Sequence, residues 1–99
     1  MAEQVKVTIT GKVISVDIEP VKPKDKNVNI HWTIDTAGWD FTANGIVIED
    51  NQGQFSEPEK KNKFFKWKDK NDDKKKYKYT VNVTDGKETI SLDPWIWNE

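Results

Sequence analysis

Cysteine is missing from the 99 residues, so the chain has no disulfide, no thiolate nucleophile and no sulfur for a metal. Arginine is missing as well, and every one of the sixteen basic residues is Lys. That removes the planar fork used for bidentate contacts to phosphate and to base edges. Histidine occurs once, at position 31, too few for a zinc or copper centre built on several imidazoles. No apolar run approaches the ~18 residues of a membrane span, so no membrane partner is expected. The opening MAEQVKVTIT has no basic start leading into an apolar run, which reads as no signal peptide and a cytoplasmic setting.

What remains is lean. Hydrophobic residues make up 34% and charged residues 33%, while five Trp supply bulk that a short chain otherwise lacks. Each aromatic buries ~150–250 Å². A length of 99 residues suits one domain, 1–99, with one core.

The pattern is that of strands. In residues 27–35, Val28, Ile30, Trp32 and Ile34 alternate with Asn29, His31 and Thr33, giving one dry and one wet face. This segment reads as the central strand. Residues 4–9 and 12–18 alternate in the same way around Gly11-Lys12, which suits a type II′ turn. The implied register pairs Thr10 with Val13, Ile9 with Ile14, Val7 with Val16 and Val5 with Ile18. Glu19-Pro20 and Pro23 then force an extended path outside any ladder.

Further on, Trp39, Phe41 and Ala43 alternate up to Asn44-Gly45, a strong turn signal, and Ile46-Val47-Ile48 forms a short strand. Phe55 reads as a lone anchor for a loop. Phe65 and Trp67 share one face of a short strand, with Phe64, Lys66 and Lys68 on the other. Residues 70–76 read as a solvated loop with nothing for a core. Tyr77, Tyr79, Val81 and Val83 alternate up to Asp85-Gly86, read as a type I′ turn that sets Val81 opposite Ile90 and Tyr79 opposite Leu92. Asp93-Pro94 breaks the ladder before Trp95-Ile96-Trp97. No window repeats with helical period. About seven short strands point to an all-β, antiparallel β-sandwich.

The chemistry signals are few. His31 falls on the wet face without the nucleophile and orienting carboxylate a catalytic base needs, and Ser15, Ser56 and Ser91 lie in no nucleophile-elbow context. Acids near Asp35 and Asp40, at Glu49-Asp50-Asn51 and at Asp72-Asp73 have no calcium-loop spacing and serve as turn formers. Carboxylates paired for hydrolysis, as in a small hydrolase, cannot be located among the seventeen acids. Asn82-Val83-Thr84 matches the glycosylation pattern but lies mid-strand, where it reads as chance. No metal or cofactor is expected.

Two stretches carry candidate contacts. Residues 58–78 hold ten Lys against four acids, a net of +6 in a chain of net −1, with Phe64, Phe65, Trp67, Tyr77 and Tyr79 interleaved. Aromatic rings beside basic charge are how single-stranded nucleic acid is gripped, which makes Trp67, Lys66 and Lys68 candidates. A pI near 5.9 and the need for those rings in a core argue against that partner. At the chain's end, the phase carried from Ile90 and Leu92 turns Ile96 inward and Trp95 and Trp97 outward. Two indoles on one face, ~6.7 Å apart, form a platform for sugar rings or for a partner's apolar patch. A bulge at Asp93-Pro94 would reverse this phase, and a covering strand or loop would bury the rings.

Residues 28–34, following a Pro-bearing loop, resemble cupredoxin-like sandwiches in pattern, without the copper ligands. Asp17-Ile18-Glu19-Pro20 and Asp93-Pro94 resemble the motifs of the small bacterial DP-EP family, with Glu19-Pro20 and Asp93-Pro94 at the matching positions and a length that suggests whole-chain coverage. Residues 77–81 are also similar to the sixth strand of immunoglobulin-type domains, without its usual Cys. The resemblance implies an immunoglobulin-like sandwich with no established activity, so no catalytic residue carries over. The expectation is therefore a monomeric, non-enzymatic binding module with a protein or carbohydrate partner.

Overall fold

A computed structural model describes residues 2–51 and 53–98. Among them lie strands β1 (Ala2–Thr10), β2 (Val13–Val16), β3 (Val28–Ile34), β4 (Asp40–Ile48), β5 (Phe55–Lys61), β6 (Phe64–Asp69), β7 (Lys76–Thr84), β8 (Thr89–Leu92) and β9 (Trp95–Trp97), with no helix. One sheet runs β2-β1-β3-β6-β5 and the other β4-β7-β8, with β9 also paired to β7. Nine strands replace the expected seven or so; β5 in particular carries too little apolar pattern to announce itself.

The alternating segments become the walls of one core. Val28, Ile30, Trp32 and Ile34 of β3 face Tyr77, Tyr79, Val81 and Val83 of β7, all buried. The indole N–H of Trp32 donates to the Tyr79 hydroxyl at 3.1 Å, and their rings lie 5.2 Å apart. The bond gives both polar tips a partner in a dry interior, where an unpaired donor costs about 1–3 kcal/mol. Edge-to-face pairs Phe41–Phe65 and Phe55–Tyr77 extend this aromatic layer between the sheets.

The first hairpin has the expected register from Thr10↔Val13 through Val7↔Val16, and Gly11 sits at φ 62. The expected Val5–Ile18 pair does not form. The Lys6 N–H donates to the Asp17 carboxylate at 2.7 Å and the Asp17 N–H returns to the Lys6 carbonyl at 3.1 Å, which ends the ladder. Ile18 stays 39% exposed, while Val5 pairs with Trp32. That pairing, β1 with β3, is parallel, so the sandwich is not wholly antiparallel. Beyond Glu19-Pro20 the chain crosses to the other sheet, where Val21 forms a parallel bridge to Ile96. The proline segment thus contributes a ladder contact that its prolines alone did not suggest.

Both turn signals rich in glycine behave differently from expectation. Asn44-Gly45 is no hairpin turn, because β4 runs straight through it with a bulge between Phe41 and Ile46. Gly45 is needed for closeness: a Cβ there would stand 2.7 Å from the Phe41 Cβ. The loop after β7 spans four residues, not two, since Thr84 pairs with Thr89 and Val81 with Leu92. Asp85 causes this by accepting both the Lys87 and Glu88 N–H groups at 2.8 Å, a local bond set that outcompetes the tighter turn. The shift is two residues, so every side chain keeps its face. Phe55, expected as a lone anchor, opens the edge strand β5, whose Ser56, Glu57, Pro58, Glu59, Lys60 and Lys61 are exposed. Charge and a proline on an edge discourage further strand pairing.

Candidate functional site

The phase of the last strand is settled by its partner numbers. Across β7, Val81↔Leu92 and Lys78↔Trp95 continue one another without offset, so Asp93-Pro94 interrupts the ladder but does not shift it. The Tyr79 N–H bonds the Pro94 carbonyl at 3.0 Å across the gap. Ile96 is therefore buried, Trp95 is 39% exposed and Trp97 half-buried on the outer face.

Each indole has lysine neighbours. Trp97 is paired to Lys76 on β7, whose ammonium lies 4.3 Å from the ring centroid, and the Lys22 ammonium approaches the same ring at 5.1 Å from the Val21 side. The Lys78 ammonium lies 5.6 Å from the Trp95 ring. Such contacts are worth about 0.5–1 kcal/mol each at exposed sites and hold the rings in place while leaving cationic heads outward. Beside them, a shallow cleft of about 250 Å³ is lined by Trp95, Lys76, Lys78, Glu49 and Asp50. Glu49 is held opposite Lys78, since its N–H bonds the Lys78 carbonyl at 2.9 Å. Farther along the same face, the Thr80 hydroxyl donates to Asp93 and the Ser91 hydroxyl to the Asn82 amide oxygen, so the surface beyond the rings is polar.

The other candidates do not join this face. Trp67 points between the sheets, its indole N–H donating to the Ile46 carbonyl at 2.9 Å. It lines an opening of about 490 Å³ between β4 and β5, with Ile46, Ile48, Pro58 and Phe65. Lys66 and Lys68 stand on the opposite face of β6, Lys68 within 3.6 Å of Glu57. The basic stretch is thus divided: Lys66 and Lys68 lie on the outer face of one sheet, and Lys76 and Lys78 on the outer face of the other.

His31 keeps the wet position expected of it, with Gln4 donating to its Nδ1 at 3.2 Å and Phe64 edge-on at 5.2 Å. Partial burial, and then the charge of Lys66, lower its pKa below the usual value.

A buried polar cluster escaped the sequence reading. The segment 70–76, expected to hold no core residue, contributes Asn71, which is buried and donates to the carbonyls of Pro23 and Asp25 at 3.1 and 3.0 Å. Asp69 closes β6 with 0% exposure, and one carboxylate oxygen accepts the Asn71 N–H at 2.9 Å. Burial pushes its pKa up to about 7, helped by Asp73 and Asp72 and opposed by Asn71 and Asn98. Asn98, just past β9, donates to Asp73 at 2.9 Å and its N–H bonds the Lys75 carbonyl. The Tyr77 hydroxyl donates to Asp73. Parity was the available signal: Asp69 shares the face of Phe65 and Trp67, and Asn98 shares that of Ile96. Among the described residues no three His, Asp or Glu stand together as metal ligands.

No protein-family model matches the chain, and no curated protein matches it.

Proposed function

We propose that this protein is a binding module that contacts a carbohydrate chain through the Trp95–Trp97 face. The observation that carries the reading is the unbroken register across Asp93-Pro94, which sets both indoles on the outer face of the sheet. Indole faces complement the C–H faces of sugar rings. Glu49 and Asp50, the ammonium groups of Lys76 and Lys78, and the hydroxyls and amides of Thr80, Asn82 and Ser91 supply partners for sugar hydroxyls. A protein partner with an apolar patch is the second reading, supported by the exposed Val47 close by on β4. The nucleic-acid reading has less support, since Lys66 and Lys68 lie on the outer face of one sheet and Lys76 and Lys78 on that of the other. An immunoglobulin-like arrangement and kinship with the DP-EP family belong to the same proposal, supported by two packed sheets around a buried Trp on a central strand.

The test is an NMR titration against neutral and uronate-bearing oligosaccharides. The expected result is shifts at the Trp95 and Trp97 indole N–H groups, with Trp95→Ala weakening binding by about tenfold or more and leaving the melting temperature nearly unchanged. Shifts confined to the Trp67 indole, or none with any sugar, would overturn the reading.

A further inference from the structure

Two buried side-chain acceptors have no hydrogen-bond donor among the described residues: Asp69 Oδ2 and Asn98 Oδ1. Both belong to the cluster that ties down the last strand. Asp69 is 0% exposed and Asn98 5% exposed, so water does not replace the missing donors freely. Two carbonyl-type oxygens buried in one cluster and lacking hydrogens form an arrangement that costs about 1–3 kcal/mol per orphan. A proton on Asp69 gives the cluster a donor it lacks, because a neutral carboxyl turns an acceptor oxygen into a donor.

We propose that Asp69 works as a proton-operated latch on β9: carried as the neutral acid, it completes the cluster around Asn98, and when ionised it weakens the hold on the C-terminal strand. Asn71 and Asn98 favour the ionised form, and burial with the neighbouring acids outweighs them. On its own segment Asp72 and Asp73 repel a second negative charge, and Asp73 stays ionised because the Tyr77 hydroxyl, the Asn98 amide and the Lys75 N–H outweigh the effect of burial. From β7, Tyr77 presents a hydroxyl already given to Asp73, with its own ionisation pushed upward. From the strands that pair with β6, Val28 and Phe55 offer only apolar surface. Gln54, the other polar neighbour, donates to Asp72 at 2.7 Å.

The link to β9 is direct. Asn98 follows Trp97, and besides the three-residue ladder to β7 this end is fixed by main-chain bonds from Val21 to Trp95, from Trp97 to Val21, from Tyr79 to Pro94 and from Asn98 to Lys75. The consequence for ligand contact rests on the reading of the Trp95–Trp97 face given above; the latch itself does not.

Hydrogen exchange supplies the test. If opening of β9 frees Asp69 to its ordinary acidity, the opening equilibrium rises by up to about tenfold per pH unit between roughly pH 4 and 7 and levels off above. After correction for intrinsic rates, protection of the Trp97 and Asn98 amides should therefore fall from pH 5 to 7 in the wild-type chain. In Asp69→Asn, which keeps the shape without the charge, it should stay flat. Should that variant fail to fold, the Asp69 carboxyl carbon can be followed in wild-type protein. A midpoint near 7 shared by the Asn98 side-chain amide and the Trp97 indole supports the latch. A midpoint near 4, or Asn98 and Trp97 signals that ignore Asp69, would overturn it. So would calcium chloride restoring protection at pH 8 in wild type and not in Asp69→Asn, since the orphaned oxygens would then belong to a cation. Sugar titrations at pH 5 and 8 read the face separately: loss of latch behaviour with binding intact refutes the latch alone, and no binding at either pH refutes the face alone.

Discussion

Single atoms decide several features here. The Trp32 indole and the Tyr79 hydroxyl satisfy one another in the dry centre. Tyr79→Phe leaves the indole N–H without an acceptor, so urea unfolding should show a loss of about 1–3 kcal/mol. Gly45 bears on the path of β4. Its backbone lies under the Phe41 ring, and a methyl 2.7 Å from the Phe41 Cβ has no room. Gly45→Ala should cost about 1–3 kcal/mol, read by the same measurement, even though the backbone there is compatible with alanine. The sequence alone makes Asn44-Gly45 a turn because both residues favour one. It cannot show that a phenylalanine four positions earlier uses the missing side chain as a seat.

The elements divide into those with contacts along their whole length and those held at a few points. β3 lies between β1 and β6, and β7 between β4 and the β8–β9 segment, so both are shielded along both edges. β9 is three residues long and hangs on β7, Val21 and Asn98. Amides of Trp97 and Asn98 should therefore exchange well before those of Trp32 and Val81, which should open only with global unfolding. If all four exchange together, β9 belongs to the cooperative core. The strands with strict alternation, β1, β3 and β7, were legible because one buried face imposes period two over many residues. β5 was not, because an edge strand exposes nearly all its side chains and so resembles a loop. The loop at residues 85–88 was misjudged for a local reason: Asp85 offers its carboxylate to two N–H groups, and that bond set fixes four residues where Asp-Gly suggests two.

For the molecule as a whole, charge and pH are spread across both sheets. His31 on one outer face has a lowered pKa, so the native state binds fewer protons than the unfolded chain as pH falls through 6.5, and stability drops with acid. Asp69 in the interior has a raised one, so the native state keeps a proton that the unfolded chain gives up, and stability drops as pH rises from about 4 to about 7. The two slopes oppose each other. Thermal melts should show His31→Asn losing the acid-side decline and Asp69→Asn losing the decline toward neutral pH. The division of lysines between outer faces also predicts that Lys66→Ala with Lys68→Ala leaves the Trp95 and Trp97 indole signals unmoved, while Lys76→Ala with Lys78→Ala shifts both.

The sequence by itself determined the all-β character and the dry and wet faces of the long strands, because a strand's faces follow from period two and survive any shift by two residues; the phase of Trp95 and Trp97 across Asp93-Pro94 needed the observed pairing with β7. The sequence also placed Trp32 in the core and His31 outside. Only the tertiary structure decided that β1 runs parallel to β3, that the Trp67 indole meets the Ile46 carbonyl of the other sheet, and that Asp69 and Asn98 meet in one buried cluster. Those facts depend on which strands become neighbours, and sequence periodicity fixes a strand's faces but not its partners.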